Sequence, residues 1–311
     1  MDTIRIGTRG SQLAVTQTEL VLGAIQETFP NAKVETVTIK TTGDKRQGTP
    51  EAGTLDKKAW VRELESAILD ESIELAIHSG KDVPFNIEEG TELLPVLTRA
   101  RPADCFIGRL KEDGSRLTFD EVPQNSKVGT ASLRRRASLL RLRPDLEVVE
   151  HRGNVPTRIR KLDENPELAG IVLACAGIDR LKDVNVDLEA FDMEDFLPAL
   201  AQGTLVAQFK STREDIAQVL KQISDPTCVA LYQAERACAA RLEVDCHSVL
   251  GVLATKDEQE VSLHARVIAA DGVEAIEARR SAKMGKQMEL LGIQTAEELL
   301  SKGADRLLHL D

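Results

Sequence analysis

Aromatic residues are scarce in this chain, where they make up 3% of 311 residues and include one tryptophan and one tyrosine. Aliphatic side chains must therefore fill most of the core. The composition as a whole, 42% hydrophobic and 29% charged, is that of an ordinary globular protein and excludes a disordered or fibrous chain. At this length a single hydrophobic core rarely keeps growing, so we expect two or three domains.

Cysteine is sparse as well. The five cysteines are odd in number and show no C-x-x-C spacing, so the sequence indicates neither a disulfide framework nor a zinc site, and we expect no metal. Cys175 and most of the others are expected to be small buried side chains. Cys246 differs because it lies in a polar turn between a predicted helix and a predicted strand. An accessible thiol there can be a nucleophile or an attachment point, and an inert thiol is the alternative.

Long hydrophobic runs and an excess of positive charge are both missing. The longest nearly apolar stretch, residues 168–178, has 11 residues, whereas a membrane helix needs about 20. The first residues form a strand-like pattern rather than a signal peptide, so we expect a cytoplasmic protein. The formal net charge of −11 argues against a general nucleic-acid or anionic-membrane binder, because those proteins rely on a basic surface.

A short apolar strand at residues 73–77 leads directly into the polar turn His78-Ser79-Gly80-Lys81-Asp82-Val83-Pro84. Glycine and proline in this turn end the strand. Ligands of open α/β sheets bind beyond the carboxyl ends of the strands, so Lys81 and Asp82 are predicted to face a crevice. Asp82 is therefore the first candidate for a catalytic residue. The alternative is that it only caps the turn.

Strands and helices alternate along most of the chain. Residues 3–8 and 34–39 have the pattern of strands around a helix that Ser11 can cap, which is a βαβ unit without a dinucleotide-binding G-x-G-x-x-G. Further alternation up to residue 174 predicts a second parallel sheet, which the chain enters near residue 99 and leaves near residues 197–206. Three strands after residue 249 and a helix at residues 295–308 predict a small α+β domain.

The connection at residues 40–57 is unusually long and polar. It holds three glycines and shows no periodicity. Loops of this length within a compact domain are often functional lids. A disordered insertion is an equally good interpretation of this stretch.

Arginine is concentrated in one part of the chain. Between Gly129 and Arg160 there are eight arginines, no lysine and three acidic residues, which gives a local net charge of +5 in a chain of −11. A guanidinium group binds a carboxylate or phosphate through paired hydrogen bonds, and two predicted helix N-termini add free N–H groups. We therefore predict an anionic ligand. The arginines near strand ends, for which ligand contact is favoured over a solvated helix face, are Arg134, Arg135, Arg152 and Arg158.

Together these stretches resemble the porphobilinogen deaminase family, also called the hydroxymethylbilane synthases. Each matching motif is weak alone, but the ordered set is highly specific and runs nearly from end to end. The motifs are Thr8-Arg9-Gly10-Ser11-Gln12-Leu13-Ala14, Val61-Arg62-Glu63-Leu64-Glu65, the turn with Asp82, Ser132-Leu133-Arg134-Arg135, Arg152-Gly153-Asn154-Val155, Ala234-Glu235-Arg236 and the Cys246 loop that ends at Gly251.

The resemblance implies an α/β fold with two lobes like those of a solute-binding protein, each with a parallel-rich, doubly wound sheet. A smaller C-terminal α+β domain with a three-stranded antiparallel sheet follows. The implied domains are residues 1–98 with 199–216, which carry Asp82 and the lid loop 40–57; residues 99–198, which carry the arginine-rich site; and residues 217–311, which carry Cys246. A monomer is also implied.

The family's chemistry is implied too: a dipyrromethane cofactor held by a thioether to Cys246, and head-to-tail condensation of four porphobilinogen molecules with loss of ammonia, followed by hydrolytic release of hydroxymethylbilane. Asp82 would be the catalytic carboxylate, buried opposite the azafulvene cation that forms when ammonia leaves, and Lys81 would keep it ionised. The implied cofactor contacts are Cys246, Lys81, Asp82, Thr130, Ser132, Arg134, Arg135 and Gln202. The implied substrate contacts are Arg9, Ser11, Arg152, Arg158 and Arg180.

The chain departs from the family pattern around the cofactor cysteine. The family usually has Gly-Gly before it and proline three residues after it, whereas this chain has Val244-Asp245-Cys246-His247-Ser248-Val249, and Asp245 opposes formation of the thiolate. Gly80 replaces a usual methionine and Ala201 a usual glycine. These departures leave open a weakly active or non-catalytic paralogue. A two-lobed binding module for a carboxylate-rich ligand is a further alternative, and it would carry no covalent adduct.

Overall fold

The computed structural model describes residues 3–46, 57–244 and 248–308, which form an α/β structure with three sheets. The strands are β1 (Ile4–Thr8), β2 (Val34–Thr38), β3 (Leu75–Ser79), β4 (Thr91–Val96), β5 (Asp104–Gly108), β6 (Lys127–Gly129), β7 (Glu147–Val149), β8 (Leu168–Ala174), β9 (Glu189–Ala190), β10 (Leu205–Lys210), β11 (Leu250–Asp257), β12 (Glu260–Ile268) and β13 (Ala275–Lys283). The helices are α1 (Gln12–Thr28), α2 (Thr42–Arg46), α3 (Arg62–Leu69), α4 (Leu133–Leu142), α5 (Val155–Glu164), α6 (Cys175–Asp179), α7 (Glu214–Gln222), α8 (Pro226–Arg241), α9 (Met288–Ser301) and α10 (Asp305–Leu308).

The chain divides into two compact units. The first is made of Met1–Ala100 and Gly203–Tyr232, and the second of Arg101–Gln202 and Gln233–Asp311. The predicted return of the chain near residues 197–206 is seen in β10, which lies between β3 and β4 in the sheet of the first unit. The finer division into three domains stays a prediction.

The sheet of the first unit has the strand order β2-β1-β3-β10-β4. β1 runs parallel to both β2 and β3, which confirms the predicted βαβ unit. Ser11 caps α1, and its hydroxyl accepts a hydrogen bond from the Ala14 N–H at 3.3 Å. Val21 and Ile25 on the inner face of α1 are fully buried against the apolar side of the sheet, where aliphatic burial stabilises the unit.

The first sheet of the second unit has the order β7-β6-β8-β5-β9. β6, β7 and β8 are parallel, whereas β5 is antiparallel to β8 and β9. Like β5, β10 is antiparallel to both of its neighbours. The other four strands of each sheet run in one direction, which is the predicted parallel-rich arrangement. β5 and β10 lie where the chain passes from one unit to the other, and no crossover helix turns the chain round before them.

The second sheet of the second unit is the predicted antiparallel one, with the order β11-β12-β13. β12 and β13 form a hairpin, which closes through the hydrogen bond from the Ala269 N–H to the Glu274 carbonyl at 2.8 Å. The final helix was predicted at residues 295–308, but α9 begins at Met288 and ends at Ser301. A glycine with positive φ, Gly303, separates it from α10.

Two parallel-rich sheets and one three-stranded antiparallel sheet confirm the predicted fold class. None of the helices in the described parts of the chain combines the length and hydrophobicity of a membrane span. Four cysteines are buried, as predicted, namely Cys105, Cys175, Cys228 and Cys238. Cys246 and its two neighbours lie outside the described residues, as do residues 47–56 of the predicted lid.

Candidate active site

Parallel strands of the first unit bring four of the predicted site residues to one edge of its sheet. β1 ends directly before Arg9, and β3 ends directly before the turn that carries Lys81 and Asp82. Because β1 and β3 are parallel, their carboxyl ends lie side by side. Ser11, at the start of α1, lies at the same edge.

Asp82 lies in a single 3₁₀ turn, Gly80–Asp82. The Gly80 N–H donates to the Thr204 carbonyl at 2.9 Å, which ties the turn to the segment before β10. Gly80 and Val83 are buried, whereas Asp82 itself is exposed. The expectation of a buried carboxylate is therefore wrong for this structure, because the turn buries its backbone and flanking residues and leaves the aspartate side chain outside.

His78 is a part of this edge to which the sequence reasoning gave no role. Its side chain is only 6% exposed, and its Nε2 has no hydrogen-bond partner within the described part of the chain. Burial lowers the pKa of His78 to about 4. A hydrogen bond with Gln208 acts to raise the pKa, and the positive charge of Arg9 lowers it further. Asp82 favours the protonated form but does not outweigh burial. His78 is therefore a neutral imidazole at pH 7.

Arg9 is held by residues of the long polar connection. Its Nη2 lies 2.6 Å from Asp44 Oδ1, and its guanidinium carbon lies 4.4 Å from the centre of the Trp60 ring. The Thr41 hydroxyl also donates to Asp44, at 2.8 Å. Although burial opposes it, the hydrogen bonds from Arg9 and Thr41 lower the pKa of Asp44. The sequence reasoning missed both contacts of Arg9. Nothing in the aperiodic connection marks Asp44 as a side chain that returns to the sheet, and nothing in the local sequence marks Trp60, which follows that connection.

The same edge in the second unit gathers most of the remaining predicted residues. β6, β7 and β8 are parallel, so the segments after all three strands lie together. β5 is antiparallel to β8, and its first residue, Asp104, pairs with Ala174 at the end of β8. The predicted residues at this edge are Thr130, Ser132, Arg134, Arg135, Arg152, Arg158 and Arg180.

Two hydroxyl groups shape the start of α4. The Ser132 hydroxyl caps the helix and accepts from the Arg135 N–H at 3.4 Å, while the Thr130 hydroxyl accepts from the Ser132 N–H at 3.2 Å. These bonds turn the chain sharply after β6 and place two consecutive arginines in the first turn of α4. Whether Thr130 and Ser132 also contact a ligand stays a prediction.

Arg134 and Arg135 converge on the buried carboxylate of Asp104. Arg134 Nη2 lies 2.7 Å from Asp104 Oδ2, and Arg135 Nε lies 2.9 Å from Oδ1. Gln202 Nε2 donates to the same Oδ1 at 3.0 Å. Asp104 is 0% exposed and each arginine is 6% exposed. The structure thus brings together three of the predicted residues around an aspartate that the sequence reasoning missed. We call these four residues the Asp104 cluster.

The Asp104 cluster carries more positive than negative charge. One carboxylate faces two guanidinium groups, so the formal sum is +1. Burial lowers the pKa of Arg134, and Asp104 opposes that effect. Arg134 Nε is buried and has no hydrogen-bond partner among the described residues. An uncompensated buried charge is costly, so an anionic group is the ligand that such a cluster favours.

The other three arginines of this edge are more accessible. Arg152 is exposed and its Nε donates to Glu150 at 2.6 Å, a surface ion pair that contributes little to stability. Arg158 is half-buried and donates to the Gly153 carbonyl at 2.7 Å. Arg180 is half-buried and follows α6. Their position at the edge is consistent with the predicted substrate contacts, which stay predictions.

A buried glutamate joins the two elements between which Cys246 lies in the sequence. Glu235 on α8 is 0% exposed, and its two oxygens accept from the Ala201 N–H at 2.7 Å and the Ala254 N–H at 2.8 Å. These bonds join α8, the segment before Gln202, and β11.

Each unit thus has the same order of strand directions and gathers basic and hydroxyl side chains at the carboxyl ends of its parallel strands. These features define an α/β protein that binds an anionic small molecule. Residues 4–218 match the family profile described as porphobilinogen deaminase, dipyromethane cofactor binding domain, and residues 229–301 match the profile of the porphobilinogen deaminase C-terminal domain. The chain belongs to the porphobilinogen deaminase family.

Relatives are similar over nearly the full length. The porphobilinogen deaminase of Geobacter sulfurreducens is 36% identical over 308 residues, which cover 99% of this chain and 94% of the relative. That of Syntrophotalea carbinolica is 38% identical over 305 residues, which cover 98% and 95%. That of Geobacter metallireducens is 38% identical over 306 residues, which cover 98% and 93%. The family consists of transferases of tetrapyrrole biosynthesis whose substrate is porphobilinogen, as the sequence resemblance implied.

Proposed function

We propose that this chain condenses four porphobilinogen molecules head to tail, with loss of ammonia, onto a dipyrromethane primer attached to Cys246, and then releases hydroxymethylbilane by hydrolysis. The observation that carries the proposal is the Asp104 cluster, a buried and net positive group at the ligand edge of a sheet. It rests in addition on membership of the family and on the position of Asp82 after β3.

The residues of the second unit fit a dipyrromethane. Each pyrrole ring carries an acetate and a propionate, and the Asp104 cluster offers an excess positive charge with one buried N–H that has no partner within the described residues. We propose that Arg134 and Arg135 bind those carboxylates, together with the neighbouring polar residues Thr130, Ser132 and Gln202. The covalent attachment is assigned to Cys246. When bound, the cofactor supplies the pyrrole ring to which porphobilinogen is joined.

In the first unit we assign Asp82 as the catalytic carboxylate. Loss of ammonia from porphobilinogen leaves positive charge on the substrate, and a carboxylate held by a fixed turn stabilises that charge as it develops. The hydrogen bond from Gly80 to Thr204 fixes the turn. Neutral His78 adds no second positive charge beside the developing cation.

The acetate and propionate groups of the substrate need further cationic side chains to bind them. We assign this part to Arg9 and Ser11 in the first unit and to Arg152, Arg158 and Arg180 in the second. All five lie at or just beyond the carboxyl ends of parallel strands, where ligands of such sheets bind. Arg9 is paired with Asp44 in this structure, so a substrate carboxylate at Arg9 shares or replaces that partner.

The test is a reaction of the purified chain with porphobilinogen in which ammonia and linear tetrapyrrole are measured together. The proposal expects one ammonia for each porphobilinogen consumed and a tetrapyrrole product. Calorimetric binding of porphobilinogen without release of ammonia would instead identify a binding module, and slow release would identify the weakly active paralogue that the altered Cys246 loop leaves open. The cytoplasmic location expected from the N-terminal sequence, the monomeric state implied by the resemblance, and the absence of nucleic-acid and membrane partners stay predictions.

A further inference from the structure

Asp104 has no role in the site as predicted from the sequence, yet it is the residue on which the second unit's basic residues converge. It is the first residue of β5 and is fully buried. Its Oδ1 accepts from Arg135 Nε at 2.9 Å and from Gln202 Nε2 at 3.0 Å, and its Oδ2 accepts from Arg134 Nη2 at 2.7 Å. Both carboxylate oxygens are therefore engaged with residues assigned to the ligand.

The contacts around Asp104 fix the planes of both guanidinium groups. Arg134 Nη1 donates to the Leu197 carbonyl at 2.7 Å, and Arg135 Nη1 donates to the Val172 carbonyl at 3.2 Å. Each group is thus held at one side by a backbone carbonyl and at another by Asp104. A planar guanidinium that is held at two points cannot rotate, and it still has more N–H donors than these bonds use.

The charges of the two arginines also require Asp104 between them. Arg134 and Arg135 are consecutive in the chain and both are buried, so without a carboxylate between them their charges would repel each other. Asp104 cancels one charge and leaves the other for the ligand. Gln202 Nε2 donates to Asp104 and also to the Pro102 carbonyl at 2.7 Å, so the amide that contacts Asp104 is itself fixed by the backbone.

We propose that Asp104 is a positioning residue for cofactor binding: it orients Arg134 and Arg135 so that the pair presents one net positive charge to a ligand carboxylate. This inference rests on the proposed function. Asp104 does not contact the ligand in this account, and it acts only through the two guanidinium groups. A purely structural ion pair would stabilise the unit without affecting how the cofactor is bound.

The test uses Asp104→Asn, which keeps the shape of the side chain and removes its charge. The cofactor-free chain is incubated with limiting porphobilinogen, and the fraction that carries the cofactor is read from the intact mass under denaturing conditions. We expect loading to need about 10-fold to 100-fold more porphobilinogen, the range for loss of an oriented, charge-assisted hydrogen bond. Far-UV circular dichroism and urea unfolding show whether the variant is folded.

Asp163→Asn is the matched control. Asp163 on α5 forms a two-point ion pair with Arg116 at 2.9 and 3.2 Å in the same unit, outside the Asp104 cluster. The control is expected to load like the unmodified chain. A folded Asp104→Asn variant that loads as readily as this control overturns the inference.

Two further variants keep the inference testable. If Asp104→Asn does not fold, Asp104→Glu keeps the buried charge but shifts the carboxylate by one methylene, and normal loading of that variant contradicts the inference. In a double-mutant cycle with Arg135→Gln, the two loading defects should not add, because Asp104 acts through the arginines. Additive defects contradict that route. If the unmodified chain itself acquires no adduct, the proposed function fails before the role of Asp104 is reached.

Discussion

Three aspartates near the strand ends differ in their surroundings, and those surroundings determine what each can do. Asp104 is fully buried between two guanidinium groups, Asp44 is partly buried against Arg9, and Asp82 is exposed. The first two are bound to cations of the protein and are therefore occupied. Asp82, held on a fixed turn, is the carboxylate best placed to meet positive charge on a substrate.

The role of Asp82 leads to a prediction about one substitution. Asp82→Asn should lower kcat by about 10²-fold to 10³-fold, because the neutral amide cannot stabilise the developing cation. The free energy of unfolding should change by less than about 0.5 kcal/mol, since the side chain is exposed. Turnover of porphobilinogen and urea unfolding measure the two effects, with Glu89→Gln as an exposed control in the same unit. Near-normal turnover of a folded Asp82→Asn variant would remove Asp82 from this role.

The buried state of His78 predicts a pH dependence of stability. Its folded pKa of about 4 lies below the unfolded value of about 6.5, so between these values the unfolded chain binds a proton that the folded chain does not. Stability is therefore lost as the pH falls from 7 towards 5, and His78 accounts for about 2 kcal/mol of that loss. Urea unfolding at both pH values should show a loss smaller by this amount in His78→Gln. An equal loss in both proteins contradicts the prediction.

Single site residues could be predicted where they belong to a sequence motif. They could not be predicted where only the strand order and direction bring them to the site. Arg134, Arg135 and Gln202 were all identified from motifs, and the structure brings them together. Asp104 was missed because it begins a strand, and only the antiparallel direction of β5 places the start of that strand at the ligand edge. The contact of Trp60 with Arg9 could not be read from the local sequence.

The boundaries of helices and strands also depend on tertiary contacts that the local sequence does not show. Most strands and most helices were predicted from the sequence, but β9 and β10 were not predicted as strands, and α9 begins seven residues earlier than expected. Gly292 interrupts its pattern in the sequence, and in the structure a Cβ there would lie 2.3 Å from the Ala234 carbonyl on α8. The glycine is thus required for close packing of two helices. The packing outweighs the cost of about 1 kcal/mol that glycine carries inside a helix. The sequence alone shows the unfavourable glycine and not the packing that requires it.

The segment that precedes β10 carries backbone strain that two substitutions should reveal. Ala201, which stands where the family usually has glycine, has φ of 54°, and Gly203 has φ of 89° with a would-be Cβ 2.3 Å from the Ala100 carbonyl. Ala201→Gly should raise the free energy of unfolding by up to about 1 kcal/mol by relieving the left-handed strain. Gly203→Ala should lower it by more than about 2 kcal/mol.

Gly23→Ala provides the control for these two variants. Gly23 lies inside α1 with open space around it, so alanine there should stabilise the chain by about 1 kcal/mol through helix propensity alone. Urea unfolding of the three variants gives the comparison. A destabilised Ala201→Gly together with an unaffected Gly203→Ala would show that this segment is not strained as described.

At the scale of the whole molecule, charge is distributed unevenly. The chain carries a net charge of −11, yet each of its two units presents basic side chains at the carboxyl ends of its parallel strands. Both sheets have the same pattern of strand directions, with one antiparallel strand where the chain passes between units. The fold class followed from the alternation of strands and helices together with the family resemblance. The two antiparallel strands did not, because alternation alone does not show where the chain changes units.

The central claim is that a primer built from the substrate is covalently held at Cys246, and the intact mass of the denatured chain tests it most directly. The account predicts an excess mass equal to two linked pyrroles in the purified protein, lost in Cys246→Ser and retained in Cys228→Ser, which replaces a buried cysteine. A catalytically competent preparation with the mass of the bare chain, or an adduct that persists in Cys246→Ser, would contradict the claim.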